Sequence, residues 1–127
     1  MILGVGVDLL EVRRVAACMD AGLSAFFRRA YSLAEQREAS GRADKAHYYA
    51  SRFAGKEAVL KCLGPVPERL RWNEIEILSG ESGAPFVRLG GQCLVLARSR
   101  GIQRIHLSLS SDAGCEIAFA VAEGEAI

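Results

Sequence analysis

Glu57 and Lys61 stand four residues apart in the run Arg52-Phe53-Ala54-Gly55-Lys56-Glu57-Ala58-Val59-Leu60-Lys61-Cys62-Leu63-Gly64. On a helix this spacing sets a carboxylate and an ammonium side by side. The commoner use of such a pair is an ion pair on the helix surface. The other use is to hold a metal ion with the carboxylate and a phosphate with the ammonium. Asp8 offers a second carboxylate. Gly4 and Gly6 share its side of an extended segment and leave room for another backbone or a ligand. The structural alternative is a strand whose small residues pack under a helix, with Asp8 as a helix N-cap. His106, Ser108 and Ser110 alternate with Ile105, Leu107 and Leu109, so one strand face carries three hydrogen-bonding side chains, suited to a phosphate-bearing ligand or to solvent. Other chemistries find less support. Gly4-x-Gly6 lacks the third glycine of a dinucleotide loop, since position 9 is Leu9. His47 and His106 are far apart in sequence, and His47 reads as a surface residue. Cys18, Cys62, Cys93 and Cys115 form no CxxC spacing.

These residues need elements to carry them. Ile2 to Leu9 has the period of a strand, with Leu3, Val5, Val7 and Leu9 on one face and Gly4, Gly6 and Asp8 on the other. A helix is expected over residues 10–19, with Arg13 and Arg14 turned away from its apolar stripe, and a short one after Ser24. Ser32-x-x-Glu35 is a capping box and opens a helix that Gly41 ends. Asp44 caps a helix expected to run unbroken from Lys45 to Leu63, stopped by Gly64-Pro65. Two short strands, residues 74–78 and 85–89, flank turn residues and form a hairpin. A helix over residues 92–100 and strands over 104–110 and 115–121 complete an α+β fold. In it one long helix packs across a largely antiparallel sheet in a single domain, residues 1–127.

Composition narrows the class. The 127 residues are half hydrophobic and about a quarter charged, as in a soluble globular domain. The net charge of +1 gives no reason to expect nucleic acid as a partner. The charge is uneven, +4 over residues 1–71 and −3 over residues 72–127, and a basic first half suits an acidic partner or phosphates. No apolar run is long enough for a membrane span and no leader pattern opens the chain, so no membrane association is expected. Cysteines set in helical and strand patterns fit a reducing cytoplasm.

Three stretches occur together in order: Gly4-Val5-Gly6-Val7-Asp8 through Arg14, Arg52-Phe53-Ala54-Gly55-Lys56-Glu57-Ala58 through Gly64, and His106-Leu107-Ser108-Leu109-Ser110. In this order and at this length the chain resembles the 4′-phosphopantetheinyl transferases, and among them the short holo-acyl-carrier-protein synthase type. The resemblance implies that fold. It also implies a reaction in which the phosphopantetheine arm of coenzyme A moves to a serine of an apo acyl carrier protein, releasing adenosine 3′,5′-bisphosphate. By resemblance Asp8 and Glu57 are Mg²⁺ ligands, and Asp8, Glu57 and Lys61 are catalytic. Arg52, Lys56, Lys61, Gly64, His106, Ser108 and Ser110 would bind coenzyme A. Arg13 and Arg14 would meet the carrier protein, and the assembly would be a homotrimer with its site between protomers.

Three positions depart from the family pattern. Ser111 stands where a histidine is usual, Gly55 where alanine is usual, and Pro65-Val66 where the family often has Thr-Gly after Gly64. A mid-helix glycine costs about 1 kcal/mol relative to alanine. Ser111 and the Pro65 loop also motivate an alternative, a catalytically weak or inactive relative that serves as a carrier-protein-binding subunit.

Overall fold

The central element is a 19-residue helix, Lys45–Leu63. Asp44 caps it by accepting the His47 backbone N–H at 3.0 Å. It stops at Gly64, whose φ of +91° a residue with a side chain rarely adopts. A computed structural model describes all residues, Met1–Ile127. In chain order the elements are β1 (Ile2–Glu11), α1 (Val12–Asp20), α2 (Ser24–Ala30), α3 (Leu33–Ser40), α4 (Lys45–Leu63), a 3₁₀ turn (Trp72–Glu74), β2 (Ile75–Ser79), β3 (Pro85–Leu89), α5 (Gly91–Ser99), β4 (Ile102–Asp112) and β5 (Cys115–Gly124).

Helix α4 lies across an antiparallel sheet of order β1-β5-β4. The sheet face beneath it is made of small residues: Gly4 and Gly6 on β1, and Ala118, Ala120 and Ala122 on β5. A Cβ at Gly6 would sit 2.0 Å from the Ala58 carbonyl oxygen, and one at Gly4 would sit 2.1 Å from that of Cys62. The two glycines therefore admit the helix backbone, not a ligand, and they fix how closely α4 approaches β1.

The opposite sheet face is uncovered. Val5, Val7 and Leu9 of β1 are 55%, 55% and 60% exposed, and Phe119 of β5 is 47% exposed. The register aligns Val7, Phe119 and Ser108 in one row across the three strands, and Val5, Val121 and His106 in the next.

Two features differ from the sequence expectation. First, β1 runs on to Glu11, so α1 starts at Val12; its N-cap is Glu11, and Asp8 caps nothing. Second, β2 and β3 form a separate two-stranded sheet beside β4. Side chains of α3 and α4 stand in for a neighbouring strand along β2. Glu35 accepts the Ile77 N–H at 2.9 Å, Glu38 accepts the Ser79 N–H at 2.9 Å, and the Lys56 ammonium donates to the Ile75 carbonyl. Glu35 is the second member of the capping box at Ser32, so this one carboxylate ties together the start of α3, α4 and β2. All four cysteines are free thiols, with Cys62 and Cys93 buried. No helix is long and apolar enough to cross a membrane.

Candidate active site

At the carboxyl-terminal half of α4 the close approach to β1 brings three charged groups together. The Lys61 ammonium crosses to β1, where it donates to the Val7 carbonyl at 2.8 Å and lies 3.3 Å from Asp8 Oδ1. Lys61 thus pairs with the strand and not with Glu57 on its own helix. Glu57 has a different partner, the indole N–H of Trp72, which donates to Oε1 at 3.0 Å. Burial pushes the Glu57 carboxyl above its usual range, and the neighbouring Asp8 carboxylate adds to the rise. The Trp72 hydrogen bond and Lys61 pull the other way. Asp8 has the ammonium as its ion-pair partner while Glu57 feels it only at longer range, an arrangement short of positive charge. No group of three or more His, Cys, Asp or Glu side chains gathers anywhere in the chain. Two carboxylates with room for further oxygen ligands suit Mg²⁺, which prefers one or two carboxylates completed by water and phosphate. On that count the donor set fits the ion.

The remaining expected site residues are dispersed. Lys56 does not reach a ligand surface. It is fully buried, its ammonium 2.7 Å from Glu35 and 3.0 Å from the Trp72 carbonyl. Burial lowers its pKa, and Glu35 offsets part of that. Arg52 is likewise interior: its guanidinium donates to Ser79 at 2.8 Å, approaches Glu38 and stacks over the Tyr48 ring. Both residues of the motif hold α3, α4 and the hairpin together, a role set by acids distant in sequence. His106, Ser108 and Ser110 lie on the exposed outer sheet face, across the sheet from Asp8 and α4, and His106 bonds Glu123 at 2.9 Å. Within one chain they do not join the carboxylate pair. Arg13 and Arg14 are exposed on α1, with Arg13 paired to Glu11 at 2.5 Å. Gly64 and the loop beyond it are clamped by Arg100, which donates to the Leu63 carbonyl at 2.6 Å and to that of Pro65. Ser111 donates to the buried Glu116 at 2.6 Å, and His47 pairs with the same carboxylate. His47 is therefore a structural partner and not only a solvated surface residue.

The family model of the 4′-phosphopantetheinyl transferase superfamily matches residues 4–120. This chain belongs to that superfamily. The holo-[acyl-carrier-protein] synthase of Anaeromyxobacter sp. (strain K) is 41% identical to it, the match covering 98% of each chain. The crystal structure of the holo-[acyl-carrier-protein] synthase of Neisseria meningitidis matches at a TM-score of 0.88 and 30% identity, over 97% of this chain and 99% of that one. A Chronobacterium ammoniagenes ACPS–CoA complex matches at 0.84 and 28% identity, over 96% and 97%.

For a member of this superfamily two further features adjoin Glu57, one directly and one through Trp72, and the sequence motifs pointed to neither. Trp72 is one; its only sequence signal was to be the sole tryptophan, at the start of the second half. The other is a cavity of about 560 Å³ lined by Arg28, Arg29, Arg71, Trp72, Leu70 and Asn73. Three guanidiniums of one sign make it attractive to anions. They come from α2 and from the loop after α4, segments whose proximity no local pattern reveals.

Proposed function

We propose that this chain is a Mg²⁺-dependent holo-[acyl-carrier-protein] synthase that moves the 4′-phosphopantetheine arm of coenzyme A to a serine of an apo acyl carrier protein. The observation that carries the reading is the meeting of Asp8, Lys61 and Glu57 at the glycine-packed contact of β1 and α4, in a chain matched over nearly its full length by holo-[acyl-carrier-protein] synthases. In the reaction the serine oxygen attacks the phosphorus that carries the pantetheine arm. The bond to the adenosine-side phosphate breaks and adenosine 3′,5′-bisphosphate leaves. Asp8 and Glu57 would hold Mg²⁺, which when bound polarises the attacked phosphorus and offsets charge on the pyrophosphate. Lys61 stabilises the departing phosphate as a point charge. Glu57, or a water held by it or by Asp8, would take the serine proton. Much of the acceleration comes from holding two substrates together.

Exposed Arg13 and Arg14 on α1, with the cavity of Arg28, Arg29 and Arg71, suit an acidic carrier-protein surface and the phosphates of coenzyme A. The uncovered apolar face of the sheet supports a homotrimer in which His106, Ser108 and Ser110 of one protomer serve the carboxylate site of the next. Four free thiols suit work in the cytoplasm. The departures that motivated a non-catalytic reading are each engaged locally, Ser111 by Glu116 and Pro65 by Arg100, and neither bonds Asp8, Glu57 or Lys61. An apo acyl carrier protein incubated with coenzyme A, Mg²⁺ and this protein should gain the mass of one phosphopantetheine. Asp8→Ala and Glu57→Ala should abolish the gain, and no gain with any apo carrier tested would overturn the reading.

A further inference from the structure

Trp72 is held at three points. Its carbonyl accepts from the buried Lys56 ammonium at 3.0 Å, its ring packs on Phe53 with centroids 5.5 Å apart, and its indole N–H donates to Glu57 Oε1 at 3.0 Å. Phe53 in turn packs on Phe26 of α2, so the indole leans on a ring that is itself held. An indole is a donor only, so this contact takes up a lone-pair site of the carboxylate oxygen it touches and competes there with a cation. No protein donor reaches Glu57 Oε2.

We propose that Trp72 is a positioning residue that reserves one oxygen of Glu57, leaves the other for the cation, and so disfavours two-oxygen coordination at this site. The inference rests on the reading of Glu57 as a metal ligand. Its consequence is ion choice. Ca²⁺ takes six to eight oxygens and readily uses both oxygens of a carboxylate, whereas Mg²⁺ demands a compact octahedron. A carboxylate with one oxygen already engaged suits the smaller ion. Partners of this outer kind commonly change metal affinity by about 10- to 100-fold.

The test compares wild-type protein, Trp72→Phe, and a variant with benzothienylalanine at position 72, which keeps the bicyclic shape but has sulfur in place of the N–H. Mn²⁺ binding is read by electron paramagnetic resonance with saturating coenzyme A, and Mg²⁺ and Ca²⁺ are titrated as competitors. The Mg²⁺-over-Ca²⁺ preference should fall about tenfold in both variants, while the benzothienyl protein keeps the wild-type melting temperature. A purely structural role would weaken both ions alike. An unchanged preference in the benzothienyl variant, or an equal loss for both ions, overturns the inference even if Trp72→Phe fails to fold. Glu57→Ala separates the two levels of the argument. If it binds Mn²⁺ as tightly as wild type, the reading of Glu57 as a ligand fails whatever position 72 does.

Discussion

Gly6→Ala tests whether the spacing of β1 and α4 sets the active site. The added Cβ would lie 2.0 Å from the Ala58 carbonyl oxygen, and ordinary contact begins near 3.4 Å, so strand and helix must part by about 1.4 Å. Sideways relief is limited by the Lys61 Cβ at 2.9 Å. The atom met is helix backbone, which cannot change rotamer, so the substitution should reach the upper part of the usual overpacking range of about 1–3 kcal/mol. For a domain of this size that lowers the melting temperature by roughly 4–12 °C. Asp8 is on β1 while Glu57 and Lys61 are on α4, so the same displacement separates the groups that must act together. A 1 Å misplacement can cost about 100-fold in rate, so kcat/KM for carrier-protein modification should fall by at least that factor in protein that is still folded. Gly41→Ala is the matched control, because its Cβ would meet nothing closer than 3.7 Å. Thermal melting and a mass-resolved transfer assay read the two effects. A Gly6→Ala protein with wild-type melting and wild-type rate would refute the claim that this contact positions the site.

Three further outcomes follow from individual contacts. Lys56→Met leaves Glu35 charged and buried without its ammonium, so chemical denaturation should show a loss of about 3–5 kcal/mol. In whatever folded protein remains, KM for coenzyme A should be unchanged, because Lys56 has no exposed surface. Glu57→Gln should stabilise the metal-free protein at neutral pH while abolishing transfer. The folded-state pKa of Glu57 is raised, so its ionised form opposes folding above that pKa. The advantage of glutamine should therefore be full well above the folded pKa and vanish as pH falls below the ordinary carboxylate value; melting curves across pH check it. Val7→Glu, on the uncovered sheet face, should give monomers by sedimentation and lose activity, since the site would lack the neighbour's His106, Ser108 and Ser110.

The limits of α4 were legible because local chemistry sets them: an Asp44 cap at one end and Gly64-Pro65 at the other. Asp8, Glu57 and Lys61 are legible through the family motifs and not through spacing, which favours a surface ion pair between Glu57 and Lys61. What the residues around them do has no local signal. Gly4 and Gly6 read as room for another backbone or a ligand, and the occupant is helix backbone that arrives more than fifty residues later in the chain. Lys56 and Arg52 are assigned to coenzyme A by the resemblance alone. Their burial depends on Glu35 and Glu38 on another helix and on the edge of β2, which no periodicity links to them. Gly55 read as a helix defect; an alanine Cβ there would meet Ile77 Cδ1 at 2.4 Å, so the small residue makes room for the hairpin. The Trp72–Glu57 bond spans a loop and has no sequence signature.

Asp8 and Glu57 are proposed to form a metal-dependent transfer centre. Its most direct test measures carrier-protein mass and released adenosine 3′,5′-bisphosphate in the same reaction, with and without Mg²⁺, for wild type and Asp8→Ala. Both products should appear in equal amounts with wild type and Mg²⁺, and neither should appear when the ion or Asp8 is removed. Full modification of the carrier by Asp8→Ala, or by wild type in excess chelator, would contradict it.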